Sequence, residues 1–90
     1  MAAKKVPSVF QELYSPDKAA EMEMRAQLLR GLTGWLRTSS LTQIQAAKLL
    51  GVTQARISDL NRGKLNRFSL DLLVRIAARA GLRPKLRLAA

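Results

Sequence analysis

Apolar residues recur at helical spacing in the middle of the chain. Each apolar residue of this series follows the previous one by three or four positions: Met22, Ala26, Leu29, Leu32 and Leu36. This spacing predicts an amphipathic α-helix. Ser15 as N-cap and Pro16 at the first helical position place its start. Gly31 and Gly34 each cost about 1 kcal/mol relative to Ala inside a helix, so a bend, an interruption or a close contact is expected near them.

Two shorter helices are predicted between residues 42 and 63. Thr42, with Gln45 three positions later, forms a capping-box pattern at the start of the first. Gly51 ends that helix, because glycine adopts the left-handed conformation at the lowest cost. Thr53 caps the second helix, and the Gly63 turn ends it.

A last helix is predicted from Ser69, its cap, to Gly81. The predicted core is shared by the three helices after residue 41 and consists of Ile44, Ala47, Leu50, Val52, Ile57, Leu60, Leu73 and Ile76. The tail then alternates basic residues with Pro84, Leu86 and Leu88, which predicts one strand without a partner in this chain. The fold class is therefore all-α, with four or five helices and a short C-terminal strand.

Charge is distributed unevenly along the 90 residues. The formal net charge is +10. Up to Glu23 there are three Lys against four acids, a net of −1, whereas from Met24 onward thirteen basic residues face only Asp59 and Asp71, a net of +11. A basic body of this kind attracts nucleic acid or an anionic membrane surface.

Composition argues against several function classes. The chain has no Cys and no His, so it lacks the thiolate nucleophile, the usual general base and the commonest metal ligand. Four of its carboxylates lie in the N-terminal segment without a nucleophile beside them. No catalytic residue, metal or cofactor is therefore predicted. No apolar run reaches the roughly 18 residues of a membrane span, and no secretory signal is recognised, so a cytoplasmic protein is expected.

The stretch from Gln43 to Arg62 resembles the helix-turn-helix of the phage-repressor-like (lambda-repressor-like, XRE) family of bacterial DNA-binding proteins. The resemblance depends on Ala47 at the helix crossing, on Gly51 in the turn and on Val52 after it. The family's aliphatic core positions are also matched, by Leu50, Ile57 and Leu60. A helical hairpin without a nucleic-acid role would explain the core equally well. It would not explain a second helix that is short of bulky side chains and flanked by basic residues.

The resemblance implies which residues contact DNA. The family's groove-facing positions correspond to Thr53, Gln54, Ala55, Ser58 and Asp59. Gln54 suits an adenine, Ala55 a thymine methyl and Asp59 a cytosine amine. Asp59 has an equal alternative, which is to pair with Arg56 or Arg62 and orient them.

Phosphate contacts are expected around that helix. Gln43 matches a family position that grips a phosphate through its amide and the helix N-terminus. The other expected phosphate contacts are basic: Arg56, Arg62, Lys64 and Arg67.

The flanking segments resemble those of HigA-type antitoxins of bacterial toxin–antitoxin pairs. This resemblance implies a homodimer that represses its own operon at an inverted-repeat operator and binds a small HigB-type ribonuclease toxin. The chain as a whole is expected to divide into an N-terminal arm (1–16), a helix-turn-helix domain (17–82) and a C-terminal strand or tail (83–90). Leu86 and Leu88 in the tail are the predicted dimer interface.

Two other interpretations stay open. One is a stand-alone regulator of the same family without a toxin partner. The other, more remote, is a basic amphipathic protein that lies on a membrane or scaffolds another protein. That second alternative is weaker, because Arg25, Arg30 and Arg37 are spread along the first helix rather than gathered into one polar face.

Overall fold

A computed structural model describes residues 9–89 of the protein. Within that range the chain forms five α-helices and one 3₁₀ turn and contains no strand. The helices are α1 (Val9–Leu13), α2 (Pro16–Thr38), α3 (Gln43–Leu50), α4 (Gln54–Asn61) and α5 (Leu70–Arg79), and the 3₁₀ turn is Leu65–Arg67. The all-α prediction is confirmed.

Helix α2 is continuous, so the interruption expected at its glycines does not occur. A Cβ atom added at Gly31 or Gly34 would meet no other atom within 4 Å, so close packing does not explain these glycines either. The helix begins at Pro16 behind Ser15, as predicted. The Ser15 hydroxyl, however, donates to the Asp17 carboxylate at 2.6 Å instead of capping a backbone N–H. That hydrogen bond lowers the pKa of Asp17.

Helix α3 has the capping box that its sequence predicts. The backbone N–H of Gln45 donates to the Thr42 hydroxyl at 3.1 Å, and the backbone N–H of Thr42 donates to the Gln45 side chain at 2.9 Å. At the other end Gly51 has φ +69°, the left-handed conformation. The Arg79 guanidinium reaches from α5 and donates to the carbonyl of Leu50 at 2.8 Å, which satisfies one of the open C-terminal carbonyls of α3.

The core lies where α2, α3, α4 and α5 meet. Its largest fully buried side chains are Leu32, Leu50, Ile57, Leu60, Phe68, Leu73 and Ile76. The prediction that Ile44 belongs to this core is wrong, since Ile44 is 60 % exposed. Helix α3 packs through Ala46, Ala47 and Leu50. Successive residues of an α-helix lie about 100° apart around its axis. The middle of the buried face of α3 is therefore about 120° around the axis from Ile44, so Ile44 points away from the core.

The tail after α5 has no regular structure within this chain. Gly81 turns with φ +86°, and residues 82–89 form neither helix nor strand. Leu86 and Leu88 are 69 % and 82 % exposed. A single strand has no ladder without a second strand, so the predicted strand is absent from the isolated protomer.

Gly51→Ala is expected to lower the free energy of unfolding by about 1–2 kcal/mol, because an L-residue is disfavoured in the left-handed conformation. The new Cβ would also lie 3.0 Å from Arg79 Nη1. Gly34→Ala is the matched control and should raise the free energy of unfolding by up to about 1 kcal/mol, since Gly34 lies in open space inside a helix. Urea unfolding followed by circular dichroism measures both. Equal effects of the same sign would contradict the assigned backbone conformations.

Candidate nucleic-acid interface

Helices α3 and α4 form the two arms of the candidate interface. Val52 and the left-handed Gly51 separate them. Thr53 stands at the N-cap of α4, and its hydroxyl accepts a hydrogen bond from the Arg56 N–H at 3.1 Å. Ile57 and Leu60 are the buried residues of α4. The opposite side of α4 therefore remains free to meet another molecule.

That free side carries the base-contacting residues predicted from the sequence. Thr53, Gln54 and Ala55 are exposed, and Ser58 and Asp59 are half-buried. None of the five has a bulky side chain, so the surface is low enough to approach base edges in a major groove about 12 Å wide. The five residues occupy one short helix and can act together.

Gln43 and Gln54 come together although eleven positions separate them. The Gln54 side-chain amide donates to Gln43 Oε1 at 3.4 Å. Gln43 is the first residue of α3, and Gln54 is the first residue of α4. The predicted phosphate contact therefore lies beside the predicted adenine contact, at the N-termini of both helices.

Three of the predicted basic phosphate contacts lie on the loop between α4 and α5. Arg62 and Arg67 are exposed, and Lys64 is half-buried. Gly63, with φ +69°, turns the chain between them. The loop thus places three cations directly after α4.

Arg56, the fourth predicted basic contact, has a different environment. It is half-buried, and its Nη1 donates to the backbone carbonyl of Arg67. Its guanidinium carbon lies 5.5 Å from the centre of the Phe68 ring, within the range of a cation–π interaction. In this arrangement one of its N–H donors and one face of its guanidinium already serve the protein itself.

Asp59 has a partner that differs from the predicted ones. Its Oδ2 lies 3.7 Å from Arg67 Nη1, whereas the alternative weighed from the sequence pairs it with Arg56 or Arg62. The Asp59 side chain is only 19 % exposed. The chain turns back after α4 and places Arg67 next to it, which the helical spacing along α4 does not reveal.

Two further arginines hold the fold together and were not predicted from the sequence. Arg79 caps α3, as described above. Arg25 on α2 donates to the carbonyl of Phe68 at 3.3 Å and to Glu21 at 3.0 Å, while its Nε is buried without a partner in the described structure. Of these contacts, the sequence indicates only the Glu21–Arg25 pair, because residues four positions apart lie on the same face of a helix.

Metal-binding clusters and membrane-spanning helices are both absent from the described part of the chain. Residues 9–89 contain no group of three or more His, Cys, Asp or Glu side chains that could hold a metal ion. None of the helices in that range has both the length and the apolar character required to cross a membrane.

Comparison with known proteins identifies the domain. A family model described as a helix-turn-helix domain matches residues 9–88, from α1 into the tail. No curated protein matches the chain. The family match covers most of the sequence and coincides with the α3–turn–α4 geometry. The protein therefore belongs to this helix-turn-helix family, whose domains bind DNA.

Proposed function

We propose that this protein is a sequence-specific transcriptional regulator, a repressor that binds an inverted-repeat operator as a homodimer. The observation that carries the proposal is the exposed side of α4. It combines small and amide side chains, and a loop with three cations follows it. That combination suits a helix that reads base edges while its flank binds phosphates.

The residues at the start of α4 are proposed to read bases. Gln54 can form two hydrogen bonds with an adenine, and Ala55 can contact a thymine methyl. Thr53 keeps a hydroxyl proton to donate, although its oxygen already caps α4. Ser58, one turn further along, can bond to a base of either type.

Phosphate contacts are proposed on both sides of that helix. Gln43 presents its side chain at the N-terminus of α3, where backbone N–H groups favour an anion. Arg62, Lys64 and Arg67 supply positive charge on the loop after α4. These contacts carry no sequence information but determine the position of α4 in the groove.

Gln54→Ala is expected to relax the preference for one base pair in each half-site, at a cost of roughly 1–3 kcal/mol in specific binding. Affinity for random-sequence DNA should change little, because phosphates supply most of that affinity. Binding-site selection from a random library, followed by titrations of the selected duplex, measures both quantities. Gln11→Ala, an exposed Gln in α1, is the matched control. Equal losses on selected and random duplexes would contradict the placement of Gln54 in the groove.

The homodimer is proposed to form through the tail. Leu86 and Leu88 are too exposed to belong to the core of one protomer. An extended segment with unpaired backbone groups is a template for a second copy of itself. Antiparallel pairing of two tails would give a two-fold dimer that presents two copies of α4.

An antitoxin role is the more specific form of the proposal. Helix α1 exposes Val9 and Leu13 and carries Glu12. A short apolar surface with an acidic residue beside it fits a basic partner such as a small HigB-type ribonuclease. The alternative is a stand-alone regulator of the same family.

Gene context and co-expression distinguish these alternatives. An antitoxin should have a neighbouring gene for a small basic protein that arrests growth when expressed alone. Co-expression of this chain should relieve the arrest. Absence of such a neighbour would favour the stand-alone regulator.

A further inference from the structure

Arg56 and Asp59 lie three positions apart on α4, and both contact Arg67. Arg56 donates through Nη1 to the Arg67 backbone carbonyl, and Asp59 Oδ2 lies 3.7 Å from the Arg67 guanidinium. One residue of α4 thus holds the main chain of Arg67, and the other holds its side chain.

The chain beyond Arg67 is anchored in the core. The Phe68 ring is 1 % exposed, and the Arg56 guanidinium lies against it. The Phe68 carbonyl accepts from Arg25 of α2 at 3.3 Å. Two arginines from two helices therefore donate to consecutive carbonyls, at residues 67 and 68, where the loop enters α5.

The opposite end of the loop is tied to α4 by its backbone. The N–H of Arg62 donates to the Ser58 carbonyl at 3.0 Å, and the N–H of Lys64 donates to the Asp59 carbonyl at 3.0 Å. Together with the contacts of Arg67, these bonds join the loop of residues 62–67 to α4 at both ends. The base-contacting helix and the loop cations are thereby held as one unit.

We propose that Arg56 and Asp59 are positioning residues, which hold Arg67 and its loop at a fixed distance from the base-contacting side of α4. The inference rests on the proposed DNA-binding function and refines it. Arg56 does not bind a phosphate, and Asp59 does not read a cytosine. Both act on DNA through Arg67.

The charge pattern supports this assignment. From Met24 onward the chain has only two acids, and one of them, Asp59, stands on the helix proposed to face DNA. A free carboxylate there would repel phosphates. Paired with Arg67 it directs a cation instead. A loop that is ordered before binding also loses less conformational entropy when it meets DNA.

A double-mutant cycle tests the role of Arg56 on a random-sequence duplex of about 24 base pairs. The salt slope is about 0.9 for each phosphate contact. At 100 mM salt, the loss of one contact should therefore weaken binding about eightfold per subunit. Arg67→Gln should show this weakening. Arg56→Gln should weaken binding by a similar factor in the wild-type background but by less than twofold in the Arg67→Gln background.

Arg62→Gln is the matched control, because Arg62 is exposed and its side chain makes no hydrogen bond or ion pair within residues 9–89. The effect of Arg62→Gln on affinity should multiply with that of Arg67→Gln.

The outcome that overturns the role of Arg56 is a full eightfold weakening in both backgrounds, as for Arg62. Arg56→Lys gives a second test if Arg56→Gln fails to fold. A lysine keeps the charge but lacks the planar guanidinium, so it should behave like Gln if Arg56 is a positioning residue. If Arg56→Lys binds like the wild type, the inference is wrong. A wild-type protein that binds no duplex would contradict the proposed function itself.

Asp59 is tested by selection of binding sites with the Asp59→Asn variant. A positioning residue leaves the preferred base at every position of the selected site unchanged. A changed preference at a single base pair would show that Asp59 reads a base and would overturn its assignment here.

Discussion

Raising the salt concentration from 50 to 200 mM is expected to weaken operator binding by at least about three decades. Affinity falls with salt because each phosphate contact releases condensed counterions, with a slope of about 0.9 per contact on duplex DNA. With about 6–10 phosphates neutralised per dimer, affinity should fall by about three to five decades.

The structure favours the lower end of that range. Arg25 and Arg79 each donate to a backbone carbonyl, so they contribute less to DNA binding than their charges suggest. If the proposed contacts Arg62, Lys64 and Arg67 each neutralise one phosphate, a dimer makes about six such contacts, and the expected slope is about −5.4. A slope calculated from the whole net charge would be much steeper.

Fluorescence anisotropy of a labelled duplex, measured across a salt series, gives the slope directly. Lys64→Gln should flatten the slope by about 0.9 for each phosphate that the variant no longer neutralises. Arg75→Gln is the control, because Arg75 is exposed on α5 outside the motif, and it should leave the slope unchanged. If Arg75→Gln flattens the salt slope as much as Lys64→Gln does, the DNA interface lies elsewhere on the domain.

Deletion of Pro84 to Ala90 is expected to convert the dimer into a monomer. Leu86 and Leu88 are largely exposed within the protomer, and backbone groups left unpaired in one protomer can pair with a second copy. Two linked half-sites bind about 10²–10⁴ times more tightly than one. The truncated protein should lose that preference for a palindrome, whose half-site centres are expected about 34 Å, or 10 base pairs, apart. Sedimentation and titration of palindrome and half-site duplexes measure these effects.

A charge-neutral tail separates dimerisation from simple electrostatic attraction. The triple variant Arg83→Gln, Lys85→Gln and Arg87→Gln keeps both leucines. It should therefore remain a dimer and retain its preference for the palindrome. If the truncated protein also remains a dimer, the tail is not the interface. The partly buried Leu28 and Trp35 of α2 then become the next candidates, whereas Leu32 is fully buried in the core and cannot contribute.

Local signals in the sequence were enough to determine where α2, α3, α4 and α5 begin. Ser15, Thr42, Thr53 and Ser69 each stand at an N-cap, and Gly51 adopts the left-handed conformation. Caps and turns depend on backbone groups within a few residues of one another, so the residues that form them are visible as neighbours in the sequence. The exposed surface at the start of α4 was predicted from the small side chains of that helix and from the family resemblance.

Tertiary packing alone decided the face of α3 and the partners of the charged residues. Ile44 follows helical spacing, yet it points away from the core because Ala46 and Ala47 allow the closer approach. Arg56 and Asp59 both contact Arg67, a residue to which the helical spacing along α4 does not point. Their partners lie beyond a turn whose path is set by burial of the Phe68 ring. Leu86 and Leu88 stay exposed in the single chain, and packing within one protomer does not determine whether a partner covers them.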